Sequence, residues 1–286
     1  MMLTRRAVLG LAVSAPLGAA SLPEQSAGIA LEHAFPDPRL SYLLTDCVAS
    51  REICSRWTHP MDCVPVGSLV KPFTALAYGE THAFRFPVFT CAGAAGHCWL
   101  PQGHGRMEIS SAIAHSCNAY FLELARDVAP EALGSVVQRF GLSAPDPGFE
   151  PATLIGLGAG WRISPFAMAR AYSELIARSL DPGVRVLLVG MALSAQLGTG
   201  RGAGRGAYVK TGTAPCIHES KEGGDGYVIA LFPTDAPRFN LLVRVHGVPG
   251  AQAAWVCGKM RRYVGRTPGR TPWSAADALV GMLGQS

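Results

Sequence analysis

Residues 66–75 read VGSLVKPFTA, and within this stretch Ser68 lies three positions before Lys71. Lysine is rare in the chain: of 25 lysine and arginine residues, lysine occupies only positions 71, 210, 221 and 259. Residues three apart on a helix share a face, so the hydroxyl and the amine could meet. Pro72 disfavours helical backbone at the preceding residue and lacks a backbone N–H. Taken alone, the pair favours a polar helix start with a solvated lysine over a nucleophile beside its base.

Two further short motifs follow in the chain. Residues 116–118 read SCN, and residues 210–213 read KTGT on a predicted strand. Serine-x-x-lysine, serine-x-asparagine and lysine-threonine-glycine, in that order, form the motif set of penicillin-binding proteins and serine β-lactamases. The three motifs together favour the catalytic interpretation of Ser68 and Lys71.

The wider sequence resembles the transpeptidase domain of class B penicillin-binding proteins. The resemblance spans roughly residues 40–264 and is carried by GSLVKPFTALA, GHGRMEISSAIAHSCNAYFLELA, IGLGAGWRISPFAMARAYSELIA and YVKTGTA. The chain departs from that family in leaving no room for the usual N-terminal pedestal domain, in its short signal and in its cysteine content. These departures bear on the physiological role more than on the chemistry.

The resemblance implies an α/β (α+β) fold, in which an antiparallel sheet is flanked by helices and carries an all-helical insert. It also implies a serine acyl-transferase that acts on the D-Ala-D-Ala stem peptides of peptidoglycan through a Ser68 acyl-enzyme. Both D,D-transpeptidase and D,D-carboxypeptidase activity remain open. β-Lactams are expected as acylating inhibitors, and neither a cofactor nor a metal is expected.

The nucleophile requires an activated environment. A serine hydroxyl is a weak nucleophile at neutral pH, so an acyl-transferase places a base within hydrogen-bond reach. Lys71 can be that base only when neutral, and both burial and a nearby cation such as Lys210 disfavour its ammonium form. The resemblance implies that Ser116 relays protons between Lys71 and the leaving group, and that Asn118 hydrogen-bonds Lys71 and the substrate amide.

The third motif is expected to bind substrate. The resemblance implies that Lys210, Thr211 and Thr213 hold the terminal carboxylate of the substrate. Gly212 leaves the strand edge uncluttered for the substrate backbone. The backbone N–H groups of Ser68 and Thr213 are expected to form the oxyanion hole, in which one donor typically contributes about 3 kcal/mol.

Local patterns predict strands at both ends of the chain and helices between them. Apolar and β-forming residues from Leu40 and around residues 53–57 predict a hairpin. Three later runs, at residues 208–212, 226–233 and 239–247, predict further strands.

Helices are predicted by caps and periodicity. Ser164 followed by Pro165 predicts a helix start, and residues 251–264 predict a closing amphipathic helix. The Ser-Cys-Asn sequence at 116–118 predicts a break within a helical region. Residues 21–39 are interpreted as a lead-in segment, and the glycine-rich residues 198–206 as a turn.

Length and composition indicate a globular protein. The chain has 286 residues, of which 49% are hydrophobic and 16% charged, enough to bury a substantial core. The net charge of +5 is dispersed, which argues against nucleic acid as a partner. We expect one transpeptidase-like domain over residues 21–286, with a sheet subdomain (about 40–66 and 206–264) and a helical subdomain (about 67–200).

The first 20 residues resemble an export signal. Arg5 and Arg6 precede an apolar run over residues 7–20 that is shorter than the ~20 residues of a membrane span. Both a twin-arginine signal and an ordinary secretory signal fit this pattern. The signal predicts a periplasmic or extracellular protein, in contact with a membrane only if the signal is not cleaved.

An even number of cysteines in an exported chain makes disulfides plausible. The eight cysteines include Cys47 with Cys54 and Cys91 with Cys98, each spaced to close a short loop. His97 and His104 flank Cys98, but the paired close spacing of a zinc knuckle is missing, so a metal site is disfavoured. Without a paired histidine in sequence, Cys117 is expected to pack rather than to react.

Two alternatives share the fold. A β-lactamase of the glutamate-dependent kind needs a carboxylate that activates water, and Glu150 is the one carboxylate at a tolerable position after the second motif. Its surrounding sequence does not match the β-lactamase loop. The other alternative is a binding or sensory module that is acylated without turnover or does not react. Such a module is expected to have lost motif residues, whereas all three motifs are intact here.

Overall fold

The computed structural model describes residues 22–146, 148–216 and 224–264. The predicted signal over residues 1–20 lies outside these residues, and the proposed subdomain boundaries stay a prediction.

Within the described residues, the α-helices are α1 Leu22–Ala34, α2 Lys71–Thr81, α3 Ile109–His115, α4 Asn118–Arg126, α5 Pro130–Phe140, α6 Pro151–Leu154, α7 Pro165–Ala177, α8 Pro182–Leu197 and α9 Gly250–Val264. The strands are β1 Leu40–Asp46, β2 Arg51–Arg56, β3 Val64–Pro65, β4 Phe89–Cys91, β5 Gly105–Met107, β6 Arg162–Ile163, β7 Tyr208–Ala214, β8 Asp225–Phe232 and β9 Phe239–His246. Short 3-10 helices cover Gly67–Val70, Gly93–Gly96 and Arg201–Ala203.

A five-stranded antiparallel sheet organises the fold, with strand order β2-β1-β9-β8-β7. Every residue of β8 is buried, as expected of a central strand covered on both faces. One face packs against α1 and α9, and the other faces α7 and the helical region. The α/β (α+β) architecture and the strands predicted at both ends of the chain are confirmed.

Helix α2 runs through the centre of the helical region. Its residues from Lys71 to Gly79 are all buried, which is why this stretch is almost free of charged residues. Phe73 meets Phe140 and Tyr172 edge-on, with ring centroids 5.3 and 5.5 Å apart. This aromatic contact fixes the first turn of α2 against α5 and α7.

Residues 21–39, interpreted as a lead-in segment without assigned secondary structure, contain a helix. Leu22–Ala34 forms helix α1, which packs beside β2 and α9 with Leu31 fully buried. The sequence has a weak apolar periodicity here, so the helix depends on the neighbouring hairpin for an apolar surface.

The predicted helix at Ser164 is confirmed together with its cap. The Ser164 side chain accepts a hydrogen bond from the Ala167 N–H, and Pro165 is the first helical residue. The closing helix over residues 251–264 is also confirmed as α9. Within the described residues, no one helix is long and apolar enough to cross a membrane; α7 and α8 pass that test only as a pair, and they bend by 112°.

The aromatic contact at Phe73 gives a stability prediction. We expect Phe73→Ala to lower the free energy of unfolding by about 3–5 kcal/mol, because the ring is fully buried and its removal leaves a cavity. Leu180→Ala is the control: this side chain is 82% exposed, and its loss is expected to change the free energy by less than about 0.5 kcal/mol. Urea unfolding followed by circular dichroism measures both; equal effects would contradict the packing described.

Candidate active site

Ser68 and Lys71 lie at the junction of two helical segments. Ser68 belongs to the 3-10 turn Gly67–Val70, and Lys71 is the first residue of α2. Pro72 follows within the first turn, where its missing N–H has no partner within the helix in any case, so it does not interrupt α2 as its position suggested. The Lys71 N–H donates to the Ser68 carbonyl oxygen, which places the two residues on one side of a continuous helical turn.

The 3-10 turn lies directly against strand β7. Gly67 has a φ of +58°, and a Cβ built on it would lie 2.3 Å from the Thr213 carbonyl oxygen. A Cβ on Gly156 would lie 2.1 Å from the Gly67 carbonyl oxygen on the opposite side. Glycine is therefore required at Gly67, and it allows the first and third motifs to meet.

The second motif is a break between two helices. Helix α3 ends at His115, Ser116 has the left-handed φ of +51°, and α4 starts at Asn118. Positive φ is costly for a non-glycine residue and is held by surrounding structure. The predicted break is confirmed, and it turns both the Ser116 carbonyl and the Asn118 amide toward α2.

The Lys71 amine is held at this break. Lys71 is 0% exposed, and its Nζ donates to the Ser116 carbonyl at 2.9 Å, to Asn118 Oδ1 at 2.7 Å and to Ser116 Oγ at 3.3 Å. Phe121 lies beside the amine, with the ring centroid 5.4 Å from Nζ. A neutral amine can donate to the two carbonyl oxygens and keep its lone pair for a hydroxyl proton.

Lys210 approaches the same hydroxyl from strand β7. Its Nζ donates to Ser116 Oγ at 2.9 Å and to the Thr211 carbonyl oxygen at 2.7 Å, and its side chain is fully buried. The Ser116 hydroxyl therefore lies between two lysine amines. Such an arrangement can pass a proton from one amine to the other through a single hydroxyl.

Burial sets the protonation of both lysines. Desolvation lowers the pKa of Lys71 to about 7, although the nearby Cys117 and Cys98 favour the charged form. Desolvation, together with the charge of Lys71, lowers the pKa of Lys210 well below its usual range. Burial therefore lowers the pKa of Lys71, as predicted. The effect of a neighbouring cation is found instead on the pKa of Lys210.

The Ser68 hydroxyl is half-buried, and the described residues offer it no hydrogen-bond partner in this structure. The predicted Ser68–Lys71 hydrogen bond is thus not formed. Hydrogen bonds between catalytic groups are commonly long in the absence of substrate and shorten when it binds. The half-exposed position leaves the hydroxyl accessible to a substrate carbonyl.

The threonines of the third motif differ in their surroundings. Thr211 is buried, and its hydroxyl meets that of Thr199 at 2.6 Å, whereas Thr213 is exposed and accepts a hydrogen bond from the Gly250 N–H at 3.0 Å. A Cβ on Gly212 would lie 2.6 Å from the Val66 carbonyl oxygen. The absence of a side chain at Gly212 therefore allows β7 to pack against the residue that precedes the 3-10 turn.

Sequence reasoning missed Thr199, Gly156 and Gly250. Thr199 lies in the glycine-rich segment interpreted only as a turn, and its N–H donates to the Ala114 carbonyl oxygen at 3.0 Å. The one available signal was a threonine between Gly198 and Gly200, at the start of the glycine-rich segment that precedes β7. Gly250 begins α9, and its contact with Thr213 depends on tertiary structure that the local pattern does not encode.

No disulfide joins any of the eight cysteines, so the plausible short loops Cys47–Cys54 and Cys91–Cys98 are not closed by one. Cys117 is fully buried, as predicted for a packing residue. Glu150 is exposed at the N-cap of α6, and within the described residues its carboxylate has no hydrogen bond or ion pair with the three motifs. Among these residues, Glu150 therefore does not contact the site as the water-activating carboxylate of the β-lactamase alternative would.

Residues 62–182 match the family model described as the penicillin binding protein transpeptidase domain. The arrangement of the sheet and helices matches solved domains of the same kind over most of this chain. Over residues 62–182 the chain is thus similar to the penicillin-binding protein transpeptidase family, and its fold matches that of the solved transpeptidase domains. The matched residues include the first two motifs. The third motif lies outside them, on strand β7, which packs beside the first motif.

Three solved structures illustrate the likeness of the transpeptidase-like domain. PBP2 of Pseudomonas aeruginosa, in complex with WCK 5153, aligns with a TM-score of 0.70 and 17% identity, covering 87% of this chain and 78% of that chain. The TP domain of Burkholderia pseudomallei penicillin-binding protein 3 aligns with a TM-score of 0.64 and 16% identity, covering 87% and 95%. The transpeptidase domain of the FtsI4 D,D-transpeptidase from Legionella pneumophila aligns with a TM-score of 0.64 and 15% identity, covering 85% and 97%. A search of curated proteins by sequence found no match.

The close approach at Gly67 is testable against a matched glycine. Gly141 also has positive φ, +63°, but a Cβ there would meet nothing within 4 Å. Gly141→Ala is expected to cost roughly 1–2 kcal/mol from backbone strain alone. We expect Gly67→Ala to cost more, because its Cβ would also displace β7. Urea unfolding of the two variants measures the difference, and equal costs would show that the 3-10 turn does not press on β7.

Proposed function

We propose that the protein is a serine acyl-transferase that acts on the D-Ala-D-Ala stem peptides of peptidoglycan through an acyl-enzyme at Ser68. The observation that carries the proposal is the fully buried Lys71 amine, bonded to Ser116 and Asn118 one helical turn from a half-exposed serine. A solvated surface lysine does not need these partners. The match to the transpeptidase family model and the D,D-transpeptidase among the similar folds support the same chemistry.

The first step is attack by Ser68. The neutral Lys71 amine removes the hydroxyl proton as the Ser68 oxygen bonds to the carbonyl carbon of the scissile D-Ala-D-Ala peptide bond. The electron pair of that carbonyl moves to its oxygen, which the Ser68 and Thr213 N–H groups stabilise. The close approach of the 3-10 turn to β7 supports this pairing of donors.

The second step is loss of the terminal D-alanine. The carbon–nitrogen bond breaks, and the leaving amine takes a proton from Lys71 through the Ser116 hydroxyl. The bonds from Ser116 Oγ to both lysine amines, at 3.3 and 2.9 Å, support this relay. The product is an ester between Ser68 and the remaining stem peptide, which an amine or water then resolves.

Substrate orientation is assigned to the third motif. The terminal carboxylate binds near Lys210, Thr211 and Thr213, which offer an amine and two hydroxyl groups as hydrogen-bond donors. Asn118 binds the substrate amide while its Oδ1 holds Lys71. A β-lactam presents a carboxylate and a strained amide in the same relation, so it acylates Ser68 and blocks it.

Acylation at one serine is the decisive test. Purified protein incubated with benzylpenicillin is expected to gain the mass of one penicilloyl group, whereas Ser68→Ala gains none because the nucleophile is missing. Ser135→Ala, which alters an exposed serine on α5, is the control and is expected to label fully. Intact-mass spectrometry measures all three. A labelled Ser68→Ala variant defeats the assignment.

Product analysis separates the alternatives that share acylation. Release of D-alanine from a pentapeptide substrate supports the transferase or carboxypeptidase activity. Sustained hydrolysis of nitrocefin indicates a β-lactamase instead. Stoichiometric labelling without D-alanine release or nitrocefin turnover indicates a non-turnover penicillin-binding or sensory module, and contradicts the proposed catalysis.

The lowered pKa of Lys71 predicts a pH dependence. Because only the neutral amine accepts the proton, the acylation rate constant is expected to rise with pH and to level off above the Lys71 pKa of about 7. One pH unit below that value, the rate is expected to be about tenfold below the plateau. Stopped-flow acylation by a chromogenic cephalosporin measures the profile.

Lys71→Arg is the control for this profile. Arginine keeps the positive charge but does not lose its proton in this pH range, so acylation is expected to be lost at every pH. A variant that keeps the wild-type profile would show that another group accepts the proton.

A further inference from the structure

Four metal-ligating side chains converge beside the second motif. Cys91 ends β4, Cys98 and His104 lie on the connection between β4 and β5, and Cys117 lies at the break between α3 and α4. One ligand atom from each lies within 4.8 Å of every other. The three cysteines are buried and His104 is half-buried. None of the four has a part in the acyl-transfer steps above.

The distances match the edges of a tetrahedron around one metal ion. The Cys91 and Cys98 sulfurs lie 3.6 and 3.4 Å from His104 Nδ1, and the Cys98 and Cys117 sulfurs are 3.9 Å apart. Zinc–sulfur bonds are about 2.3 Å long and zinc–nitrogen bonds about 2.0–2.1 Å. At tetrahedral angles, a ligand sulfur then lies about 3.5 Å from a ligand nitrogen, and two ligand sulfurs lie about 3.8 Å apart. The observed separations therefore require little movement to accommodate zinc.

The backbone of residues 91–105 is folded to present these ligands. Gly93 and Gly103 both have positive φ, and a Cβ on Gly93 would lie 2.0 Å from the Pro101 carbonyl oxygen. The Cys98 N–H donates to the Gly93 carbonyl oxygen at 3.0 Å. The loop is thus closed by its own backbone before any ligand is bound, which reduces the entropy lost on binding.

Contacts outside the cluster hold two of the ligands. Backbone N–H groups of Leu100, Asn118 and Ala119 donate to the Cys98 sulfur and so orient this side chain. Trp99 Nε1 donates to the His115 carbonyl oxygen at 3.2 Å and so ties the loop to the end of α3. The His104 Nε2 atom is buried with no partner among the described residues, and with Nδ1 facing the sulfurs it is the ring nitrogen left to carry the proton.

We propose that Cys91, Cys98, His104 and Cys117 form a tetrahedral zinc site, with the three sulfurs and His104 Nδ1 as ligands. The three thiols lose their protons on binding, the imidazole stays neutral, and no oxidation or reduction takes place. Four protein ligands close the coordination sphere, so the site is structural rather than catalytic. A thiolate-rich tetrahedral set favours zinc over the hard cations calcium and magnesium.

The site acts on the second motif through Cys117. This residue lies between Ser116, whose backbone is strained, and Asn118, which holds the Lys71 amine. A metal bonded to Cys117 would fix the helix break at the residue between Ser116 and Asn118. The consequence for acylation rests on the proposed function, whereas metal binding itself does not.

Metal content tests the site directly. We expect the full chain, purified with zinc present and dialysed, to hold one zinc ion per chain by plasma mass spectrometry and native mass spectrometry. Cys91→Ser and His104→Ala are expected to weaken zinc binding by more than about tenfold. Cys63→Ser alters an exposed cysteine outside the cluster and is expected to keep the zinc. Wild-type protein without metal, or variants that retain it equally, would overturn the proposal.

Cobalt substitution keeps the test valid if a ligand variant fails to fold. Cobalt added to chelated wild-type protein is expected to give the intense visible bands of a tetrahedral ion together with thiolate charge transfer. Weak octahedral bands without charge transfer would contradict the ligand set. A disulfide between Cys98 and Cys117 found by peptide mapping of protein kept from air would also contradict it, because that bond removes two ligands.

Acylation measured on the same samples separates this proposal from the proposed function. If both hold, chelation slows benzylpenicillin acylation of Ser68 and added zinc restores it. Zinc binding to a protein that benzylpenicillin never labels supports the metal site and overturns the acyl-transferase. Acylation that proceeds equally with and without bound zinc overturns the positioning role of the metal.

Discussion

The burial of the Lys71 amine is the constraint on which the rest of the site depends. Removing an ammonium from water is costly, and no carboxylate among the described residues contacts Lys71 or Lys210 to offset it. The amine is instead supported by two carbonyl oxygens and a hydroxyl. These neutral acceptors satisfy its hydrogen bonds without stabilising the charge as a carboxylate would. The fold thereby keeps a lysine close to neutral, at the expense of stability.

Local backbone strain is the means by which these acceptors reach Lys71. Ser116 occupies the left-handed region, and this geometry separates α3 from α4 at the point where Ser116 and Asn118 must face α2. Gly67 likewise adopts positive φ so that the 3-10 turn can approach β7. Glycine adopts this conformation without strain, so of the two positions only Ser116 is strained, whereas the aromatic packing around Phe73 and the fully buried strand β8 supply stability elsewhere. Strain of this kind persists only when a well-packed surrounding structure holds it.

The sequence predicted the elements that depend on local pattern and missed those that depend on distant partners. The strands at 208–212, 226–233 and 239–247 and the capped helix at Ser164 follow from alternation and from a Ser-Pro pair, and the structure confirms them. Helix α1 was missed because it depends on packing against β2. Motif order placed Lys71, Ser116, Asn118 and Lys210 together, but could not show that Thr199 meets Thr211. The spacing in the sequence disfavoured a metal site around Cys98, because Cys117 lies 26 positions after Cys91 and only the fold brings it to Cys98 and His104.

The two buried lysine amines influence each other's protonation. Burial lowers the pKa of Lys71 to about 7, and burial together with the charge of Lys71 lowers the pKa of Lys210 well below its usual range. A substrate carboxylate bound near Lys210 favours the ammonium form there, and the resulting charge disfavours the ammonium form of Lys71. The Ser116 hydroxyl, bonded to both amines, is the path between them. Under the proposed function, binding of the correct carboxylate therefore favours the neutral Lys71 amine that removes the Ser68 proton.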